Sequence, residues 1–294
     1  LSTSGLSLVD NSGQASNYSI ASASSNITQR PLNLSGSRAY DSTRTASGSD
    51  LSFTNIVSGE TLGLTGSGVL DSPAAGSRTI VNTNTLAISD GSGIATNYTL
   101  TNGTLTMTIV PRSTTVSGTK TYDGTTNVAS SNLTSFSNLA GSDTLSLSGT
   151  GTISTAEVGT GKTVNTSGLT IDNSSGVGSN YTLSAATVNV TERVIGLSGV
   201  RAFDGTNNAS STDLSISNLV SGENLTLSGS GTVPNATVEM NKAISLGSLS
   251  ISDGSGGKSS NYTLTGGSHT LDISQLSVNV TGSRQYDGTK TVNS

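Results

Sequence analysis

Along residues 113–193 the apolar residues fall two apart in short runs, as Leu145 with Leu147, Leu169 with Ile171 and Val188 with Val190, between Ser, Thr and Asn neighbours. A period of two places the apolar side chains on one face of a strand and the hydroxyls on the other, the mark of a half-buried β-strand. Six strands are predicted in this stretch, around Thr115 to Tyr122, Leu133 to Leu139, Thr144 to Ser148, Gly151 to Ser154, Thr163 to Ile171 and Tyr181 to Thr191. Clusters such as Asp10-Asn11-Ser12-Gly13 and Asp90-Gly91-Ser92-Gly93 read as the turns between them. No window carries apolar residues at three-four spacing, and Ser, Thr, Gly and Asn dominate wherever a helix would run. The predicted class is all-β: small antiparallel β-sandwich units, Ig-like, each closed by Gly-rich turns.

The pattern recurs. Tyr40-Asp41-Ser42, Tyr122-Asp123-Gly124, Phe203-Asp204-Gly205 and Tyr286-Asp287-Gly288 stand 82, 81 and 83 residues apart, and an Asn-Tyr pair recurs at Tyr18, Tyr98, Tyr181 and Tyr262, spaced 80, 83 and 81. All seven tyrosines belong to one of these two motifs, so the aromatic side chains are part of the repeat's architecture. The predicted organisation is three full repeats, 31–112, 113–193 and 194–275, flanked by the C-terminal part of a repeat at 1–30 and the N-terminal part of another at 276–294, as in a piece cut from a longer array. A β-solenoid would need self-similarity at about 20 residues, and none is visible. Junctions such as Ile109-Val110-Pro111-Arg112 lack the length or composition of a free linker, which predicts an elongated, stiff array.

Asp-Gly after an alternating run is a tight-turn signal, with the preceding aromatic sealing the end of the core. Ser42 in place of glycine implies that positive φ is not obligatory there, with a side-chain turn by Asp41 as the substitute. A calcium reading would make ligands of Asp41, Asp123, Asp204 and Asp287, helped by Asp90 and Asp253, but calcium wants six to eight oxygens and these acids are isolated. The basic residues Arg38, Lys120 and Arg201 recur about 20 positions before Glu60, Asp143 and Glu223, which predicts either cross-strand ion pairs or solvated charge. The one histidine, His269, reads as an exposed loop residue without counterparts in the other repeats. No serine has the setting of an activated nucleophile, so no enzymatic activity is expected.

Composition narrows the picture further. A net charge of -5 without a basic run or an aromatic platform argues against nucleic-acid binding, and no segment approaches the roughly 18 apolar residues of a membrane helix. With no cysteine, disulfides, thiolate metal sites and a Cys nucleophile are absent. Asn-x-Ser/Thr sequons such as Asn97, Asn180 and Asn261 arise readily in such a composition, and those preceding tyrosine read as a turn before a strand.

Tyr-Asp-Gly-Thr near the start of each unit and Asn-Tyr-Thr-Leu near its end resemble the YDG and MBG-type repeats of bacterial filamentous-haemagglutinin-like adhesins, across every unit. The resemblance implies a large secreted or surface-tethered adhesin, exported by a two-partner or autotransporter route, in which these repeats form the stalk. It implies no catalytic residue and no cofactor. A chain without cysteine is compatible with export in the unfolded state. The expected partners are neighbouring repeats or copies of the chain, paired through strand edges into a fibre that serves adhesion and biofilm. The alternative is that the repeats bind cell-surface glycans or a host surface.

Overall fold

The computed structural model describes residues 2–286 and 288. The chain is all-β, tandem sandwich repeats joined by short turns, and among the described residues there is no α-helix. It divides into two compact units: Leu1–Thr114 with Asn138–Ser146 and Ile171–Thr182, and Thr115–Ser137 with Leu147–Thr170 and Leu183–Ser294. The division passes through the second repeat, so each unit joins the end of one repeat to the face of the next.

In the first unit the main sheet runs Thr45–Ser47, Ser67–Leu70, Gly76–Asn82, Thr106–Val110, Leu34–Ala39, Leu51–Phe53, and Leu62–Thr65 pairs with Ala87–Asp90 opposite. The third repeat, in the second unit, has the order Leu214–Ser217, Gly196–Ala202, His269–Ser274, Glu239–Ala243, with Leu225–Ser228 paired to Ser250–Asp253. In both repeats the first strand pairs in parallel with the last, Ser37 opposite Thr108 and Leu197 opposite His269. The remaining main-sheet pairs are antiparallel, so the sheets are mixed where alternation alone had suggested purely antiparallel ones. Parallel pairing of first and last strands brings both ends of a repeat to neighbouring positions, and the chain leaves for the next repeat beside the Tyr-Asp-Gly turn.

The alternation is realised in burial: Thr114, Val116, Val188 and Val190 face inward, while their neighbours in sequence do not. Three details differ from the predicted strands. The runs predicted separately at Thr144 to Ser148 and Gly151 to Ser154 form one strand, Leu145–Thr152. The stretch from Thr163 to Ile171 is two strands, Gly159–Val164 and Leu169–Asn173, separated by a turn in which the Leu169 N–H reaches Thr166 O at 2.9 Å. Asn127–Ala129 is an additional short strand paired with Leu145–Thr152; three residues are too few to show a period. His269 begins a strand and is half-buried, with Nε2 2.8 Å from Leu264 O, which corrects its assignment to an exposed loop.

Candidate functional site

The recurring Tyr-Asp-Gly motif is a compact turn. Asp41, Asp123 and Asp204 each accept through Oδ1 from the backbone N–H two residues on, at 2.9, 2.9 and 2.8 Å, and from the same threonine's hydroxyl. The residue between takes positive φ in every copy: Ser42 66°, Gly124 75°, Gly205 79° and Gly288 77°. The backbone conformation is therefore kept even where serine replaces glycine, which corrects the inference that it was dispensable; the aspartate side-chain turn holds Ser42 in it. Asp287 lies outside the described residues.

Each turn is closed by the basic residue three positions earlier. Arg38 pairs with Asp41, Lys120 with Asp123 at 2.8 Å and Arg201 with Asp204. Lys120 is buried and also donates to Thr125 O and Asn127 O. Burial opposes ionisation of Asp123, but hydrogen bonds from Lys120 and from the Thr125 backbone and hydroxyl outweigh it and hold its pKa below the usual carboxylate value. The predicted pairing of these cations with the acids 20 residues on is not formed: the nearer aspartate is already in reach of the side chain within one turn.

The Asn-Tyr motif sits at the far end of each repeat. Asn97, Asn180 and Asn261 close one-turn 3-10 helices, and Tyr98, Tyr181 and Tyr262 begin the strands that follow, as the sequence predicts. The turn is pinned by a side-chain oxygen from the last residue of the preceding strand: Asp90 accepts from the Ala95 N–H at 2.6 Å, Asn173 from Gly178 at 2.7 Å and Asp253 from Ser259 at 2.8 Å. An uncharged asparagine fills this role in the second repeat, so the acids at the other two serve as hydrogen-bond acceptors. No group of three His, Asp or Glu side chains that could hold a metal occurs among the described residues.

The two motifs meet within each unit at a seam between consecutive repeats. In the first unit the buried rings of Tyr40 and Tyr181 pack edge to face, centroids 5.4 Å apart, and both hydroxyls donate to Asp143 Oδ2, at 3.1 and 2.6 Å. In the second, Tyr122 and Tyr262 repeat the arrangement at 5.4 Å, with hydroxyls 2.6 Å from Glu223 Oε1 and 2.7 Å from Oε2. Edge-to-face rings contribute about 0.5–1.5 kcal/mol beyond the area they bury. Beside them Asn180 Oδ1 accepts the Ala75 N–H at 2.8 Å, and Asn261 Oδ1 accepts the Val158 N–H at 3.0 Å. Arg112 adds a bond from Nη1 to Tyr40 O at 3.3 Å, and Lys258 pairs with Glu157 at 2.8 Å in the other unit. Asp143 and Glu223 recur in the sequence because they receive tyrosine hydroxyls.

Burial and then the carboxylate hydrogen bond push the phenol pKa values up at both seams, that of Tyr181 to about 12 and that of Tyr122 further. A phenol whose folded pKa lies above its unfolded value of about 10 stabilises the fold fully below that pH. The contribution falls as pH rises through the folded pKa. We expect seam tyrosines to form phenolate between about pH 10 and 12 together with loss of β-structure, followed by phenolate absorbance and circular dichroism on the same samples. Phenolate formation at these tyrosines with the fold intact would contradict the seam geometry.

The remaining predicted positions divide. Tyr98 is buried and donates to Glu60, the first repeat's counterpart of Asp143 and Glu223. Phe203, Tyr18 and Tyr286 are exposed. The asparagine clasp was not foreseen; its only signal in the sequence was that Asn and Tyr recur as a pair.

The profile of one protein family, the YDG domain, matches this chain three times, over residues 26–107, 103–189 and 191–270. No curated protein matches it.

Proposed function

The chain belongs to the YDG domain family, and on that premise we propose that this repeat region is a structural element of a large bacterial extracellular adhesin or matrix fibre. It acts as a stiff stalk or a self-assembling filament in cell adhesion and biofilm. The observation that supports this reading is the seam. The side chains that recur most regularly, Tyr40 with Tyr181 and Tyr122 with Tyr262, bind consecutive repeats to each other. Repeats coupled through buried rings, carboxylate hydrogen bonds and a junction of one or two residues resist bending as a freely linked string would not. The same observation weighs against glycan binding as the main role, since Tyr40, Tyr98, Tyr122, Tyr181 and Tyr262 are buried and offer no stacking platform.

The test is electron microscopy of the purified chain combined with small-angle scattering. The expected particle is a rod with one bead per repeat and a fixed contour length. Beads at broadly distributed angles would overturn the stalk reading.

A further inference from the structure

The parallel pairing of first and last strands does more than close a repeat. In the third repeat Gly196–Ala202 and His269–Ser274 are the two central strands of their sheet, and they run side by side over six successive pairs, from Leu197 with His269 to Ala202 with Ser274. A second parallel patch, Arg193 with Tyr262 and Val194 with Thr263, extends the contact towards the start of the repeat. Hydrogen bonds from the Ile195, Leu197 and Phe203 N–H groups to Thr263 O, Ser268 O and Ser274 O, at 2.9, 3.0 and 2.9 Å, span it from end to end. The first repeat has the same three, from Leu32, Leu34 and Tyr40 to Thr99 O, Thr104 O and Val110 O, at 2.8, 2.9 and 2.9 Å. In the second repeat the Tyr122 N–H reaches Thr191 O at 2.9 Å.

We infer that these paired strands are a shear clamp, which lets each repeat bear tension applied along the chain. The chain enters at the start of the first strand and leaves from the end of the last, and in a parallel pair those points lie at opposite ends of one contact. Pulling on the chain therefore drives the two strands past each other lengthwise. Their hydrogen bonds carry the load together, whereas strands drawn apart from one end open pair by pair. Burial opposes the sliding as well. Ile195, Leu197, Leu271 and Ile273 are at most 2% exposed, and a slip of one residue would turn a strand's buried side chains to the opposite face. Only Pro111 separates the last strand of the first repeat, Thr106–Val110, from the first strand of the second, Arg112–Thr121, so load passes directly from clamp to clamp. The inference rests on the proposed stalk role for the source of the load, and it adds resistance to stretching to the resistance to bending that the seams supply.

The test is single-molecule force spectroscopy on the full chain, whose lack of cysteine lets a pair of introduced cysteines set the points of pull. Glu192→Cys with Gln275→Cys loads the third repeat lengthwise. Asn207→Cys with Gln275→Cys pulls on the same two strands from one end, where the first strand has just turned back. All three positions are exposed, and both proteins are expected to share the parent's urea midpoint, so that a difference in force belongs to the direction of pull. At equal loading rate the lengthwise pull should need about threefold more force or greater to unfold the repeat. It should do so in one step that releases about 3.3–3.6 Å for each residue between the attachment points, less the folded length. Equal forces in the two directions, or a lower force lengthwise, would overturn the clamp while leaving a rod seen by microscopy standing. Beads at broadly distributed angles with the force difference intact would instead remove the stalk and keep the clamp.

Discussion

Glu223→Ala is expected to lower the unfolding free energy by about 2–4 kcal/mol, because it removes the acceptor of two phenol hydroxyls at once, and hydrogen bonds to a charged group contribute about 1.5–3 kcal/mol each. Glu223 is half-buried, so water entering the truncated site recovers part of that loss, and the sum of two full bonds is not reached. Tyr262 keeps one partner, the Val220 N–H at 3.1 Å, whereas the Tyr122 hydroxyl loses its carboxylate oxygen outright. Asp143→Ala should cost less than Glu223→Ala. The shorter aspartate serves both tyrosines through one oxygen, and its bond from Tyr40 is long at 3.1 Å, while glutamate gives each tyrosine its own oxygen. Urea unfolding of the full chain followed by circular dichroism reads both values, and in a repeat array the loss falls on the coupling between neighbours, broadening or splitting the transition. Glu223→Gln keeps an acceptor carbonyl and should recover about half of the loss. Unfolding curves of Glu223→Ala that superimpose on the parent would remove the seam from the energetics of the array.

Much of this was legible in the sequence, and the part that was not has a common cause. Alternation fixes which side chains of a strand face inward, so Val188 with Val190 could be placed on the buried face from local pattern alone. The two tyrosine motifs and their period were equally plain. What local pattern does not carry is which copy of one motif meets which copy of the other. Tyr40 and Asp143 are 103 residues apart, and Tyr122 and Glu223 are 101 apart, both more than one period. Within a single repeat the same acids sit about 20 residues after Arg38, Lys120 and Arg201, and charge complementarity suggested those pairs. Asp41, Asp123 and Asp204 take the cations instead, at a separation of three residues, where closing the loop costs least. The parallel pairing of first and last strands was hidden for the same reason, since partners such as Leu197 and His269 stand at opposite ends of one repeat.

Gly124→Ala carries the second large expected effect, about 2–3 kcal/mol of destabilisation. It combines about 1–2 kcal/mol for an L-residue in the left-handed region with the strain of an overpacked contact. The φ of 75° alone does not decide the outcome, because Ser42 occupies the same turn at 66° under the hold of Asp41. The deciding contact is a new methyl group 2.8 Å from Cγ1 of the half-buried Val220, a β-branched side chain with little χ1 freedom to withdraw. Val220→Ala, which makes this face like the Ala140 face that accepts Ser42, should cost about 1 kcal/mol alone through lost packing. In the double variant it should instead relieve the clash. The double-mutant cycle is therefore expected to show a favourable coupling of about 1 kcal/mol or more, read from chemical denaturation of the four proteins. Strict additivity would mean that the glycine is required only for its backbone. Coupling would mean that tip and face are matched in volume seam by seam. A Ser42-type tip would then be refused by a valine face, and the order of repeats in the array would be written in the residue after the aspartate and the residue it meets.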